Sequence, residues 1–150
     1  MCIRDRALAG RLQNDTYKVG VLLSDGECNE GSVWEAAMFA AAQKLKNLSI
    51  IVDYNKWQAT GRSNEIMELA PLSKKWAAFG WDAVEVDGHK IPEIIKVLKR
   101  PSSKSKRPLA IVAHTIKGKG VSFMEDDNNW HYRSPTADEV EKVRKELKLV

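Results

Sequence analysis

Apolar residues along the chain gather in short runs set off by polar punctuation, and the runs read as alternating strands and helices. Residues 18–23, KVGVLL, are rich in β-branched side chains and fit a strand buried on both faces. Asp25-Gly26 follows directly. Residues 32–46, SVWEAAMFAAAQKLK, contain neither Gly nor Pro and predict a helix of about four turns whose alanines allow close packing on a sheet. Residues 48–52 form a second apolar run, which Asp53-Tyr54-Asn55 closes in polar form. Strand, helix, strand is the parallel crossover unit, right-handed in nearly all known cases.

The remaining pattern continues in kind. Residues 71–79 predict a short helix stopped by Gly80, and residues 83–86 a short strand. Between 91 and 98, Ile91, Ile94, Ile95 and Leu98 recur at the spacing of one buried helix face. KRPSSKSKRP, with Pro, Ser and charge and no apolar residue, reads as an exposed connection. Residues 109–113 predict another buried strand, and 136–147 a charged terminal helix capped by Thr136. The class is therefore α/β, a doubly wound and mainly parallel sheet, with no internal repeat or domain boundary.

Length and charge narrow the picture a little. A chain of 150 residues makes one domain that buries roughly two-thirds of its extended surface. Its 24 basic and 20 acidic side chains leave a modest net charge of +4. With no apolar run near the roughly 20 residues of a membrane span and no signal peptide, a cytoplasmic protein without membrane contact is expected. The leading MCIRDR fits neither a secretory nor a helical start and resembles translated sequencing-adapter read-through. Residues 1–6, Cys2 among them, are thus expected to be foreign, leaving 7–150 as the domain and Cys28 as its native cysteine. ALAGRLQND looks like the tail of a helix, so the natural protein is expected to begin upstream of Ala7.

Candidate chemistry lies where two predicted strands end. In a parallel unit the carboxyl ends of both strands point the same way, so Asp25 and Asn55, 30 positions apart, can converge on one ion. Hard divalent cations take oxygen ligands, and Mg²⁺ usually keeps one or two protein side chains beside phosphate and water. One carboxylate and one amide oxygen suit that arrangement, with the carbonyl of Trp57 as a candidate third ligand. Gly26, having no side chain, lets its backbone N–H approach phosphate oxygens. The helix start near Ser32 adds a favourable dipole.

Four separated segments carry a family resemblance: the DG pair, the EGSVWEA helix entry, the strand end DYNKWQATG, and HTIKGKGVSFMEDDNNWHYRSPT. In this order they resemble the diphosphate-binding domain of transketolase in its split-subunit bacterial form, from Ala7 onward. The resemblance implies the thiamine diphosphate-binding fold, incomplete at the amino terminus, and a Mg²⁺ or Ca²⁺ ion held by Asp25, Asn55 and the Trp57 carbonyl. Gly26 matches the family's diphosphate contact, and Glu27 is counted with the cofactor-binding set. Glu30 and Glu35 match acidic residues toward the subunit interface, Glu30 with a catalytic role. His131, four positions before Pro135, matches a histidine that approaches cofactor and donor sugar. Two departures stand out: Ser24 replaces the commoner glycine before the aspartate, and DDNNWHYRSP replaces a glycine-rich context.

The same resemblance implies two-carbon ketol transfer between ketose and aldose phosphates of the pentose phosphate pathway. It also implies an oligomer with a C-terminal subunit that binds the cofactor's pyrimidine ring, and a chain inactive without that partner. Alternatives remain. Deoxyxylulose-phosphate synthase and 2-oxoacid dehydrogenase components share the metal motif, though EGSVWEA and DYNKWQATG look less like them. A noncatalytic nucleic-acid-binding module could use Lys96, Lys99, Arg100, Lys104, Lys106 and Arg107, but the stretch lacks aromatic residues for stacking on bases. Taken singly, an Asp-Gly pair is a turn, Glu30 and Glu35 a charged helix entry, and Trp57 loop packing. His89 reads as a helix-entry residue beside Pro92, His114 sits at a strand's carboxyl end without a required role, and KGKG at 117–120 reads as a flexible basic loop.

Overall fold

The computed structural model of the chain describes residues 2–99 and 106–149. Its elements run α1 (Cys2–Leu12), β1 (Val19–Ser24), α2 (Gly31–Ala42), β2 (Leu48–Tyr54), the two-residue strands β3 (Trp57–Gln58) and β4 (Gly61–Arg62), α3 (Ser63–Ile66), α4 (Leu72–Ala78), β5 (Asp82–Asp87), α5 (Ile91–Leu98), β6 (Leu109–His114) and α6 (Ala137–Glu146). Single-turn 3₁₀ helices occupy Gly26–Asn29 and Asn128–His131. The main sheet is four-stranded in the order β1-β2-β6-β5, and every neighbouring pair is parallel. All four carboxyl ends therefore share one edge, where parallel α/β sheets build their sites.

Side chains alternate across this sheet. On one face Leu48, Ile50, Val52 and Tyr54 of β2 meet Ala7 of α1, Ala37 and Ala40 of α2, and Leu72 and Trp76 of α4. The alanines of α2 let it sit close, as its composition suggested. Trp76, almost wholly buried, packs 4.9 Å from Trp34 and 5.0 Å from Trp81 between ring centres. On the other face Val97 and Ile94 of α5 cover Ile111, Ala113, Val84 and Val86. Helices on both faces make the sheet doubly wound.

Several boundaries and burials differ from the pattern-based expectation. Helix α2 ends at Ala42 because Lys44 turns to φ 51°, and the Leu45 N–H donates back to Ala40 at 3.0 Å, so the helix is shorter than the apolar run suggested. Strand β1 is not buried on both faces: it is the sheet edge, and Leu22 is 72% exposed. Helix α5, about 12 Å long for its eight residues, reaches only the β5–β6 half of that face. Within α5 the expected stripe is also displaced, since Ile91, Ile95 and Leu98 are exposed while Val97 is buried. Glu93 and Lys96 share the polar side of the helix, and it buries the Ile94–Val97 edge of its apolar arc and not the middle, because that edge is the one facing β5 and β6.

Helix α1 begins at Cys2 and continues through Ala7, so the leading residues are helical where no helical start was expected. Most of the predicted 99–108 connection, Arg100 and Lys104 with it, lies outside the described residues. Helix α6 starts as foreseen. Thr136 and Glu139 form a reciprocal capping box. Among the described residues no helix is long and apolar enough to cross a membrane.

Candidate functional site

Parallel pairing places Ser24 of β1 beside Asp53 of β2, so the chain leaves both strands at the same height and Asp25 enters the turn after Tyr54. The Asp25 side chain is completely buried. Its Oδ2 accepts the Lys56 backbone N–H at 2.9 Å and the Ser63 hydroxyl at 2.7 Å. Lys56 reaches it by adopting φ 70°, and its carbonyl accepts the Ser63 N–H at 3.0 Å. The segment Asn55-Lys56-Trp57 thus folds around the Asp25 carboxylate, which brings the two sequence-predicted ligand positions to one spot.

Asp25 Oδ1 is buried and has no hydrogen-bond partner among the described residues. Burial pushes the Asp25 carboxyl above its ordinary range; the Ser63 hydroxyl and the Lys56 and Gly26 N–H groups pull it back, and Asp53 adds to the rise. Asn55 Oδ1 accepts the Trp57 N–H at 2.9 Å, and its amide donates to Asp53 at 3.4 Å. An amide oxygen carries a second lone pair, so Asn55 still has one to give. Among the described residues no three His, Cys, Asp or Glu side chains cluster for a metal. A cation here would instead use one carboxylate, one amide oxygen and a carbonyl, the hard donor set expected of Mg²⁺ or Ca²⁺ with phosphate.

Gly26 starts the 3₁₀ turn, and a Cβ there would stand 3.5 Å from the Gln58 side chain. That is ordinary contact, so the fold itself does not demand glycine here. Glu27 turns away: its carboxylate accepts the Ser24 N–H at 2.7 Å and the Ser24 hydroxyl at 3.2 Å. Ser24 in place of glycine therefore has a local use, holding the turn. Glu30 is the N-cap residue of α2 without a side-chain cap bond, and it is exposed, as is Glu35. Glu27 and Glu30 line a cavity of about 280 Å³ floored by Val21, Leu23 and Trp81. Cys28 is buried below the turn, where burial and the Asp25 and Glu27 carboxylates push its thiol up to about 12.

Trp57 does more than pack a loop. It opens the β3–β4 hairpin, and its indole N–H donates to Asp126 in the β6–α6 connection at 2.8 Å. That connection carries the KGKG segment, which is closed rather than loose: Gly120 N–H donates to Glu125 at 2.9 Å, and Gly118, at φ 70°, has no room for a Cβ because Met124 O would lie 2.4 Å away. His131 sits on the 3₁₀ turn that follows, exposed, with its ring 5.1 Å from that of Tyr132. Asn128 and Tyr132, flanking it, donate to Ala59 O at the hairpin tip at 3.2 and 2.6 Å. His131 is thereby held to the hairpin that begins at Trp57.

The other two histidines make contacts within the fold. His114 lies 2.9 Å from Glu85 of β5, whose carboxyl is held down by the Ser73 hydroxyl and by His114. His89, besides opening the turn before α5, accepts the Ile116 N–H on Nε2 at 2.9 Å and so anchors the start of the KGKG loop. Ser63, Gln58, Arg62 and Asp126 escaped the sequence reading, since each acts through a contact far along the chain that no local pattern announces.

A family model described as transketolase, thiamine diphosphate binding domain, matches residues 3–149. The chain belongs to that family. Relatives of this transketolase domain include one subunit of the apulose-4-phosphate transketolase of Phocaeicola vulgatus, 40% identical over 141 residues that make up 94% of this chain and 50% of the relative. Its namesake from Actinobacillus succinogenes is 43% identical over 142 residues, 95% of this chain and 51% of its own. The chain spans about half the length of these relatives. Among solved structures, transketolase from Campylobacter jejuni superposes with a TM-score of 0.87 at 25% identity, over 97% of this chain and 24% of that one. As a transketolase domain, the chain has a partnerless carboxylate oxygen, an amide oxygen and an open glycine at one sheet edge, all of which fit a metal-held diphosphate.

Proposed function

We propose that this chain is the diphosphate-binding component of a two-subunit transketolase, holding thiamine diphosphate through Mg²⁺. The observation that carries the reading is the buried Asp25 carboxylate, which has one oxygen bonded by the Asn55–Trp57 turn and its neighbour Ser63 and the other left without a partner. Buried polar groups are almost always satisfied, and a carboxylate oxygen left bare at a sheet's carboxyl edge suits a cation. Asp25, Asn55 and the Trp57 carbonyl would ligate the ion, Gly26 N–H would meet the diphosphate, and His131 would approach the reacting end. Glu30, exposed at the α2 entry, would act at the subunit interface near the cofactor, whose ring the partner subunit activates. When bound, thiamine diphosphate supplies the carbon nucleophile and electron sink that a two-carbon ketol transfer needs. The protein's part is to anchor the diphosphate, orient the ring and exclude water.

The partner would be a C-terminal, pyrimidine-binding subunit, a reading supported by relatives that are themselves named as transketolase subunits. Substrates would be ketose and aldose phosphates of the pentose phosphate pathway, handled in the cytoplasm by an oligomer. The test is ketol transfer from a ketose phosphate to an aldose phosphate, by the chain alone and after reconstitution with a C-terminal subunit. Activity only in the reconstituted pair, dependent on Mg²⁺ and thiamine diphosphate, is expected. Transfer by the chain alone, or none by the pair, would overturn the assignment.

A further inference from the structure

Asp126, in the β6–α6 connection, meets the β3–β4 hairpin through its whole side chain. Its carboxylate engages Arg62 in a fork, Nη1 to Oδ1 at 2.7 Å and Nη2 to Oδ2 at 2.6 Å. The same carboxylate accepts the Trp57 indole N–H at 2.8 Å, and the Asp126 carbonyl accepts it at 3.1 Å. The Arg62 guanidinium lies over the Trp57 ring, 3.7 Å from its centre. Two-point recognition with stacking is the geometry that makes an arginine irreplaceable by lysine.

Asp126 also closes its own loop. Its backbone N–H donates to Lys117 O at 2.9 Å, in a left-handed conformation at φ 57° that aspartate tolerates better than most residues. One residue therefore ties three things together: the strand end that carries Trp57, the hairpin strand that carries Arg62, and the basic KGKG segment. Asn128 and Tyr132 extend the tie to the hairpin tip at Ala59.

We infer that Asp126 and Arg62 form a latch that sets the Trp57 carbonyl and the loop bearing Lys117 and His131 in one register, making Asp126 a positioning residue for the cofactor site. The inference rests on the proposed cofactor site. The Arg62 and Asp126 side chains are 35% and 52% exposed, and exposed ion pairs contribute little to global stability. The latch acts locally.

The test compares the full chain with Arg62→Ala, Asp126→Ala and the double variant. It reads melting temperature, amide exchange across residues 116–127, thiamine diphosphate affinity with Mg²⁺, and the electron paramagnetic resonance line shape of Mn²⁺ substituted for it. Each single change is expected to expose the segment to exchange, weaken cofactor binding about tenfold and alter the Mn²⁺ line shape, with little change in melting. The double variant is expected to be no worse than either single one. Unchanged exchange, or affinity losses that multiply in the double variant, would overturn the latch. If the unaltered chain shows no metal-dependent binding, the functional reading fails. The latch is then judged by exchange alone: retained protection in the variants refutes it, and lost protection upholds the hairpin–loop coupling without a cofactor role.

Discussion

Asp25→Asn should separate stability from function and reverse their usual order. In the metal-free chain Asp25 is fully buried, with Oδ2 accepting two hydrogen bonds and Oδ1 accepting none. Its carboxyl is raised by burial, which means that folding disfavours the charged form. Asparagine keeps an oxygen for Lys56 N–H and Ser63 Oγ and removes the buried charge, but its Nδ2 takes the place of Oδ1 and is no better partnered. An unsatisfied buried group costs about 1–3 kcal/mol, more when charged, so only the charge-dependent part is regained, and without metal Asp25→Asn should match the original stability or exceed it by about 1 kcal/mol at most. At about 4 °C per kcal/mol for a domain of this size, the gain is about 4 °C at most. Adding Mg²⁺ and thiamine diphosphate at 100 times the dissociation constant stabilises the original chain by about 2.7 kcal/mol and leaves the variant untouched. Thermal melts in chelator and in Mg²⁺–cofactor buffer would show the two curves changing places. A variant markedly less stable in chelator, or one equally stabilised by the cofactor, would refute the reasoning.

Other outcomes follow from single features. Gly26 is not at positive φ and a Cβ would find only ordinary contact with Gln58 at 3.5 Å, so Gly26→Ala should leave the melting temperature within a few degrees while weakening cofactor binding at least about tenfold by blocking phosphate approach to the backbone; calorimetry beside a melt checks both. Trp76→Ala removes a side chain 1% exposed that contacts two other tryptophans, a loss of about 3–5 kcal/mol in urea unfolding. Cys28, with its thiol raised from 9.0 to about 12, should resist a thiol reagent at pH 8 while exposed Cys2 reacts. Because the folded value is the higher one, its contribution to stability is complete below pH 9.0, fades as pH rises and is gone past about 12; unfolding across that alkaline window, against Cys28→Ala, reads it.

Much of this architecture was legible in linear order. Apolar runs at 18–23, 48–52, 83–86 and 109–113 all became parallel strands, at the edges β1 and β5 as well as at the central β2 and β6, because a parallel sheet covered by helices takes apolar runs, and α4, α5 and α6 fell within a residue or two of their predicted spans. The Asp25 carboxylate meets the turn that carries Asn55, at the Lys56 N–H, because the crossover forces two strand ends to one edge. Which edge of the α5 apolar arc turns inward was not legible, since Ile94 and Val97 lie at one margin of the arc and only the position of β5 and β6 selects them. The exposure of Leu22 depended on strand order, which the pattern of β1 alone does not encode. The β3–β4 hairpin is too short to leave a period, and the Asp126–Arg62 fork joins residues 64 positions apart. The Glu27 carboxylate turns to Ser24 and not toward the Asn55 turn, a preference decided by local capping geometry.

The most direct trial of the central idea, that Asp25 and Asn55 share a cation anchoring a diphosphate, is isothermal calorimetry of thiamine diphosphate with the chain in Mg²⁺ and in chelator, repeated on Asp25→Ala and Asn55→Ala. Binding in Mg²⁺ alone, lost in both variants, is the predicted result. Equal binding in chelator, or full Mg²⁺-dependent affinity in either variant, would contradict it.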